Sequence, residues 1–276
     1  MAITSRHITA VANFFDARLF RDSGGHARHD AAAPGASFMQ VASTGSPTPH
    51  SSAGVVLPMN ARHVSRALAA TTQAGVAACL VGATALHVGW AHKFDAVRQT
   101  VSDYALDDDA NQVFTATAAC LSVGSMSLLA SAVHSRFPVG GAPTVLLGTW
   151  CAGLALCAAF RTDPVDSPTT VGGLVHNWAC AAAVTALPAG GLLIARRIGR
   201  LPALKARARS LRLMSWASSA AGASFLATYL CARAPANPAA RWMAGRQGLA
   251  ERVTLALELG VLCTLADAVR AGQART

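Results

Sequence analysis

Six stretches of about 20 residues each run almost free of charge through this chain, and nothing else in it constrains the fold so strongly. They cover residues 67–91, 113–133, 143–160, 171–195, 211–231 and 248–270. A helix rises about 1.5 Å per residue, so crossing roughly 30 Å of hydrocarbon takes about 20 residues. The runs are continuous and rich in Ala and Leu. Strands of a membrane barrel would instead alternate apolar and polar residues over about 10 positions. The expected fold class is all-α: a polytopic membrane protein, a bundle of six transmembrane helices.

Composition agrees. Of the 276 residues, 53% are hydrophobic and 13% charged, with a mean hydropathy of +0.38. A soluble domain carries about 25% charge. This chain lacks the polar coat of a soluble enzyme, and it is too apolar for a disordered protein or a coiled coil. Its formal net charge of +10 reads as membrane topology. The basic residues lie at span ends, with no folded soluble domain to present them in a nucleic-acid groove.

The charge also sets the orientation. Arg196, Arg197, Arg200, Lys205, Arg207, Arg209 and Arg212 crowd the connection between the fourth and fifth spans. By the positive-inside rule that connection is cytoplasmic. An even number of spans then puts both termini in the cytoplasm, near Arg62, Arg66, Arg270 and Arg275. The expected location is the plasma or inner membrane, multi-pass. Trp90, Trp178 and Trp242 fall near the outer interface and Trp216 near the inner one, as an aromatic belt would. Small residues, among them Gly148, Ala152, Gly153, Ala179 and Ala183, suit close helix packing. Pro188, followed by Gly190 and Gly191, should kink the fourth span.

Two domains are expected: a polar N-terminal tail over 1–62 and the six-helix domain over 63–276. The tail is rich in Ser, Thr, Gly, Pro and His and has no apolar core of signal-peptide length. It cannot bury enough surface to offset its ordering entropy, and reads as disordered. Met59, just before the first span, would also serve as a start of translation. Seven cysteines are spread over the apolar stretches with no CxxC pair. They read as small hydrophobes at helix contacts, with no second Cys or His at ligand spacing.

The informative polar residues gather at the outer face. Ser102, Asp103 and Tyr104 follow the first span, and Asp107, Asp108 and Asp109 precede the second as helix caps. Arg161 and Asp163 end the third span, His176 lies early in the fourth, and Glu251 and Arg252 open the sixth. His176 with Asp163 or Asp103 has the makings of a general acid–base pair. Ser102, Tyr104, Arg161, Glu251 and Arg252 are candidate binding residues, the arginines for a phosphate or carboxylate headgroup. A divalent ion held by Asp103, Asp163, His176 and Glu251 is a weaker reading, so no metal and no cofactor is assigned. The structural alternative is that Arg161, Asp163, Glu251 and Arg252 pair with one another across the bundle. His87 and His92 read as interfacial. Glu258 sits near mid-membrane on the face of Glu251. It serves either as a proton or ion relay or as a neutral carboxyl bonded to a neighbouring helix.

These outer-face strings, in order, resemble a known family. Ser102-Asp103-Tyr104, Phe160-Arg161-Thr162-Asp163, His176 and Gly248-Leu249-Ala250-Glu251-Arg252 are similar to the bacterial and archaeal six-helix membrane proteins called domain of unknown function 998. The resemblance covers roughly residues 70–270. Family members often carry a longer Gly-Phe-Pro-like string where this chain has Ala158 to Pro164. The resemblance implies the six-span fold and the importance of Asp163, His176, Glu251 and Arg252, and it implies no established reaction. The expectation is an integral membrane protein of undefined activity with membrane lipids as partners. A membrane-embedded enzyme acting on a lipid or isoprenoid headgroup is one alternative, and a small-solute or ion permease using Glu258 is another. Protein partners and homo-oligomer formation stay open.

Overall fold

The computed structural model describes residues 59–164, 167–233 and 237–274. The tail of residues 1–58, Arg275 and Thr276 lie outside them. The described residues form seven α-helices: α1 (Met59–Gly89), α2 (Asp108–His134), α3 (Gly141–Ala159), α4 (Val171–Ile198), α5 (Lys205–Arg233), the short α6 (Pro238–Ala244) and α7 (Gln247–Gln273). A 3-10 turn at Ser102–Leu106 precedes α2. No strand occurs among the described residues. The all-α class is as the apolar runs require, and each predicted span falls on one of the six long helices.

Four helices are long and apolar enough to cross a membrane: α1 from His63, α2, α3 and α4. The other two expected spans, α5 and α7, have the length, at 29 and 27 residues, but are more polar. The reason is visible in their packing. They lie against each other and bury Ser215, Ser218, Thr254 and Glu258 without exposure. Polar groups that a lipid-facing helix could not carry are turned inward. Conversely, Val81, Val88, Val145 and Val171 expose two-thirds or more of their surface, as side chains facing hydrocarbon would.

Successive long helices pack side by side, α1 on α2, α2 on α3, α3 on α4, α4 on α5 and α5 on α7. The described residues of the connections at 90–107, 160–164, 167–170 and 237–246 therefore gather at one end, and 135–140 and 199–204 at the other. Two contacts let backbones come close. A Cβ on Gly75 of α1 would lie 2.6 Å from the Cys120 carbonyl and 2.7 Å from Cα of Gly124 on α2. A Cβ on Gly153 of α3 would lie 2.8 Å from the Ala179 carbonyl and 2.9 Å from Cβ of Ala183 on α4. Gly148, read as a packing residue, has open space beside it. Trp178, Trp216 and Trp242 are exposed, as belt residues should be, whereas Trp90 is half-buried and donates its Nε1–H to Asp107 at 3.2 Å.

The caps follow the sequence signals. Asp107 caps α2, accepting from Ala110 N at 3.1 Å. It also accepts from Lys93 Nζ at 2.7 Å, which together with the cap and Trp90 holds its carboxyl down at about 2. α6, which hydropathy alone does not reveal, begins at Asn237, whose side chain accepts from Ala240 N at 2.9 Å, with Pro238 in its first turn. At the basic end Arg207 pairs with Asp267 at 2.8 Å, joining α5 to α7.

The close approaches make a direct prediction. Gly75→Val must push α1 from α2 and should cost about 1–3 kcal/mol, the usual range for overpacking. Gly148→Ala should leave the thermal midpoint in detergent unchanged or raise it. Equal behaviour of the two variants in a melting experiment would contradict the α1–α2 contact.

Candidate functional site

The end that gathers residues 90–107, 160–164, 167–170 and 237–246 is organised by the first turn of α7. Gly248 has no side chain, so the chain at Ala96 and Gln99 packs directly onto its backbone. Leu249 N donates to the Val97 carbonyl at 3.0 Å. Glu251 and Arg252 are neighbours on the helix and so point about 100° apart. Glu251 accepts from Val101 N and lies 3.5 Å from Ser102 Oγ. Arg252 turns the other way. Its Nε donates to His87 Nε2 at 2.5 Å and its Nη1 to the Gln99 carbonyl at 2.7 Å.

The expected pairing of Arg161, Asp163, Glu251 and Arg252 with one another is not what these contacts make. Arg161 is exposed and bonds Asp108 at 2.8 Å. Asp163 folds over the start of α4, accepting from Thr170 N at 2.7 Å and Thr170 Oγ1 at 2.8 Å. Each residue finds a nearer partner in a connection or a helix cap, which spares it from reaching across the bundle. His87, read as interfacial, is in turn a ligand of Arg252. Its Nδ1–H donates to the Ala83 carbonyl at 2.6 Å, leaving Nε2 to accept.

Five of the candidate residues line one cavity of about 780 Å³: Ser102, Asp103, Asp163, His176 and Glu251. That volume is in the range of small-molecule sites. Its polar end lies among these five, with Gln247 and Arg233. From there it runs between α4 and α5, past Val184, Pro188 and Leu192 on one side and Phe225 and Leu226 on the other. His176 to Leu192 is 16 residues, about 24 Å at the helical rise. Ala181, Thr185, Ala223 and Leu226 are exposed, so the groove is open along its flank. Pro188 lies inside helix α4 and lines the groove.

The remaining candidates do not line it. Tyr104 is buried against Phe94, with ring centroids 4.7 Å apart, and supports the connection from behind. Arg161 and Arg252 face elsewhere. Glu258 is fully buried, neither of its oxygens has a hydrogen-bond partner, and it lies off the cavity wall.

Two features set the chemistry of the polar end. Asp103 accepts from Thr100 N at 2.6 Å. Burial nevertheless pushes its carboxyl above the usual carboxylate range, against the pull of Thr100, of the Arg252 charge and of the nearby His176 ring. The His176 ring is oriented by a backbone carbonyl, not by a carboxylate: Nδ1 lies 2.7 Å from the Phe160 oxygen. A carbonyl only accepts, so Nδ1 carries the hydrogen. Nε2 is buried and makes no hydrogen bond of good geometry among the described residues, although the Cys180 thiol lies beside the ring.

The cysteines depart from the sequence reading. Cys180 stands four residues after His176, one turn along the same face of α4. Cys157, from α3, meets it with the two Sγ atoms 3.1 Å apart. The ligand atoms of Cys157, His176 and Cys180 all lie within 4.8 Å of one another. The i,i+4 spacing of His176 and Cys180 was the available signal. The arrival of Cys157 depends on helix packing and left no mark in the sequence.

Asp103→Asn keeps an acceptor for Thr100 N and removes a charge that burial disfavours. A carboxyl raised on folding stabilises below its ordinary pKa and loses that contribution as pH rises. The variant should therefore melt on the order of 2 °C higher than the parent at pH 7, with the gap closing near pH 4. Arg252→Ala should melt about 5 °C lower or more, since hydrogen bonds to a charged group contribute about 1.5–3 kcal/mol. Thermal unfolding in detergent at both pH values checks the pair.

Residues 73–267 match the model of a family described as "Protein of unknown function (DUF998)". No curated protein and no solved structure matches the chain.

Proposed function

The chain belongs to the DUF998 family of proteins of unknown function, and from that premise we propose that it is a six-span protein of the cell membrane that holds a lipid-like amphiphile between α4 and α5. In this reading α5 and α7 complete the six spans, and the basic 196–212 connection lies in the cytoplasm with both termini. The polar end of the groove then faces outward at headgroup level.

The observation that carries the reading is the division of the cavity along its length. Asp103, Ser102 and Glu251 stand at one end, and Val184, Leu192, Phe225 and Leu226 form the walls further down. A soluble solute would leave the apolar length unfilled, and a hydrocarbon alone would leave the polar end unpaired. An amphiphile satisfies both, and its chain can enter sideways past Ala181 and Ala223. Among the described residues lining the polar end, Asp103, Asp163 and Glu251 outnumber Arg233, which favours a neutral or cationic head over an anionic one. A permease centred on Glu258 gains no support, because that residue lies away from the cavity.

Native mass spectrometry of the mildly extracted protein should show one retained lipid per chain. Ala223→Trp and Thr185→Trp, both at exposed groove positions, should each abolish the adduct while leaving the thermal midpoint within about 2 °C. A lipid-free parent, or Trp variants with an unchanged lipid complement, would refute the reading.

A further inference from the structure

We propose that Cys157, His176 and Cys180 form a binding site for a thiophilic divalent metal ion, zinc foremost, in the wall between α3 and α4. The inference does not rest on the amphiphile reading: it uses only the mutual positions of these three residues, whatever fills the groove that His176 and Cys180 also line.

The geometry begins with Gly153. Its missing side chain lets α3 approach Ala179 and Ala183 of α4, and one helical turn further along α3 lies Cys157. That brings the Cys157 and Cys180 sulfurs 3.1 Å apart, with the His176 ligand nitrogen inside the same 4.8 Å circle. In a tetrahedral zinc site with Zn–S near 2.3 Å, the sulfurs stand about 3.7 Å apart. The sulfurs stand closer than that and the nitrogen lies within 4.8 Å of both, so side-chain rotations alone bring the three donors to coordination distance.

The imidazole is prepared for the role. Nδ1–H is committed to the Phe160 carbonyl at 2.7 Å, the outer hydrogen bond that fixes the tautomer of metal-binding histidines. The lone pair of Nε2 is thereby free, on a ring only 1% exposed, and among the described residues it makes no hydrogen bond of good geometry, the Cys180 thiol beside it being itself one of the proposed ligands. A buried acceptor left so is costly, and a cation removes that cost. Charge decides the class of ion. Binding displaces one proton from each thiol. A divalent ion with two thiolates and a neutral imidazole then carries no net charge, as a site within an apolar bundle requires. Thiolate donors select zinc over magnesium or calcium. His176 and Cys180 line the cavity, which gives an ion a route to the site.

The test uses the full-length chain in detergent, reduced and stripped with a chelator, titrated with Co²⁺ and then with Zn²⁺. One equivalent of Co²⁺ should bind with a thiolate-to-cobalt charge-transfer absorption, and Zn²⁺ should displace it. Cys157→Ser, Cys180→Ser and His176→Ala should each weaken binding by at least about tenfold. Cys120→Ser with Cys263→Ser, at the two exposed cysteines, should change nothing. In the unsubstituted chain Zn²⁺ should slow maleimide labelling of Cys180, a readout that no folding defect can mimic. The proposal is overturned if the charge-transfer band is absent, if it survives Cys157→Ser at full affinity, or if Zn²⁺ leaves Cys180 labelling unchanged.

Discussion

The first turn of α7 holds the candidate site together. Gly248 lets a backbone segment settle directly on the helix, and Leu249 N bonds that segment at Val97. Glu251 and Arg252 then grip it on two sides, at Val101 and at Gln99. The 90–107 connection has no regular structure beyond one 3-10 turn, so its backbone groups need such external partners. Ser102 and Asp103 stand at the cavity mouth because α7 keeps them there. Without that grip, the polar end of the groove would lose one of its walls.

A second constraint comes from the lack of side chains at a few helix crossings. Gly75 and Gly124 set the distance of α1 from α2, and Gly153 sets that of α3 from α4. In an apolar solvent, association between helices gains little from burying more hydrocarbon, so packing and internal polar contacts have to supply the specificity. The chain follows this division of labour. Small residues fix the approach of the apolar helices, and the polar α5 and α7 turn Ser215, Ser218, Thr254 and Glu258 toward the interior.

Most of the architecture was legible because hydropathy and length are properties of single segments. The six long helices, the capping by Asp107 and the gathering of Ser102, Asp103, Asp163, His176 and Glu251 could be read from runs and their order. Partner choice could not. Glu251 and Arg252 are adjacent in sequence, yet they separate around the helix and bond different groups. Asp163 takes Thr170 seven residues on, while Arg161 takes Asp108 at the start of α2. Such choices depend on distances between helices that no single segment encodes. α5 and α7 show the same limit in reverse, since their lower hydropathy reflects an interior face that appears only when they meet. The Cys157 contact is similar: its half on α4 was written in the i,i+4 spacing of His176 and Cys180, and its half on α3 arose from a glycine one turn away.

The anchoring of the first connection also has a consequence in time. Val101 and Glu251 are 150 residues apart. At a synthesis rate of roughly 5–20 residues per second, the ribosome needs about 8–30 s to supply the second after the first. For that interval α1 and α2 can pair through Gly75 and Gly124, while the segment between them waits without its acceptor. The mouth of the cavity is thus among the last parts of the protein to take shape, although its first residues leave the ribosome before any of α2 to α7.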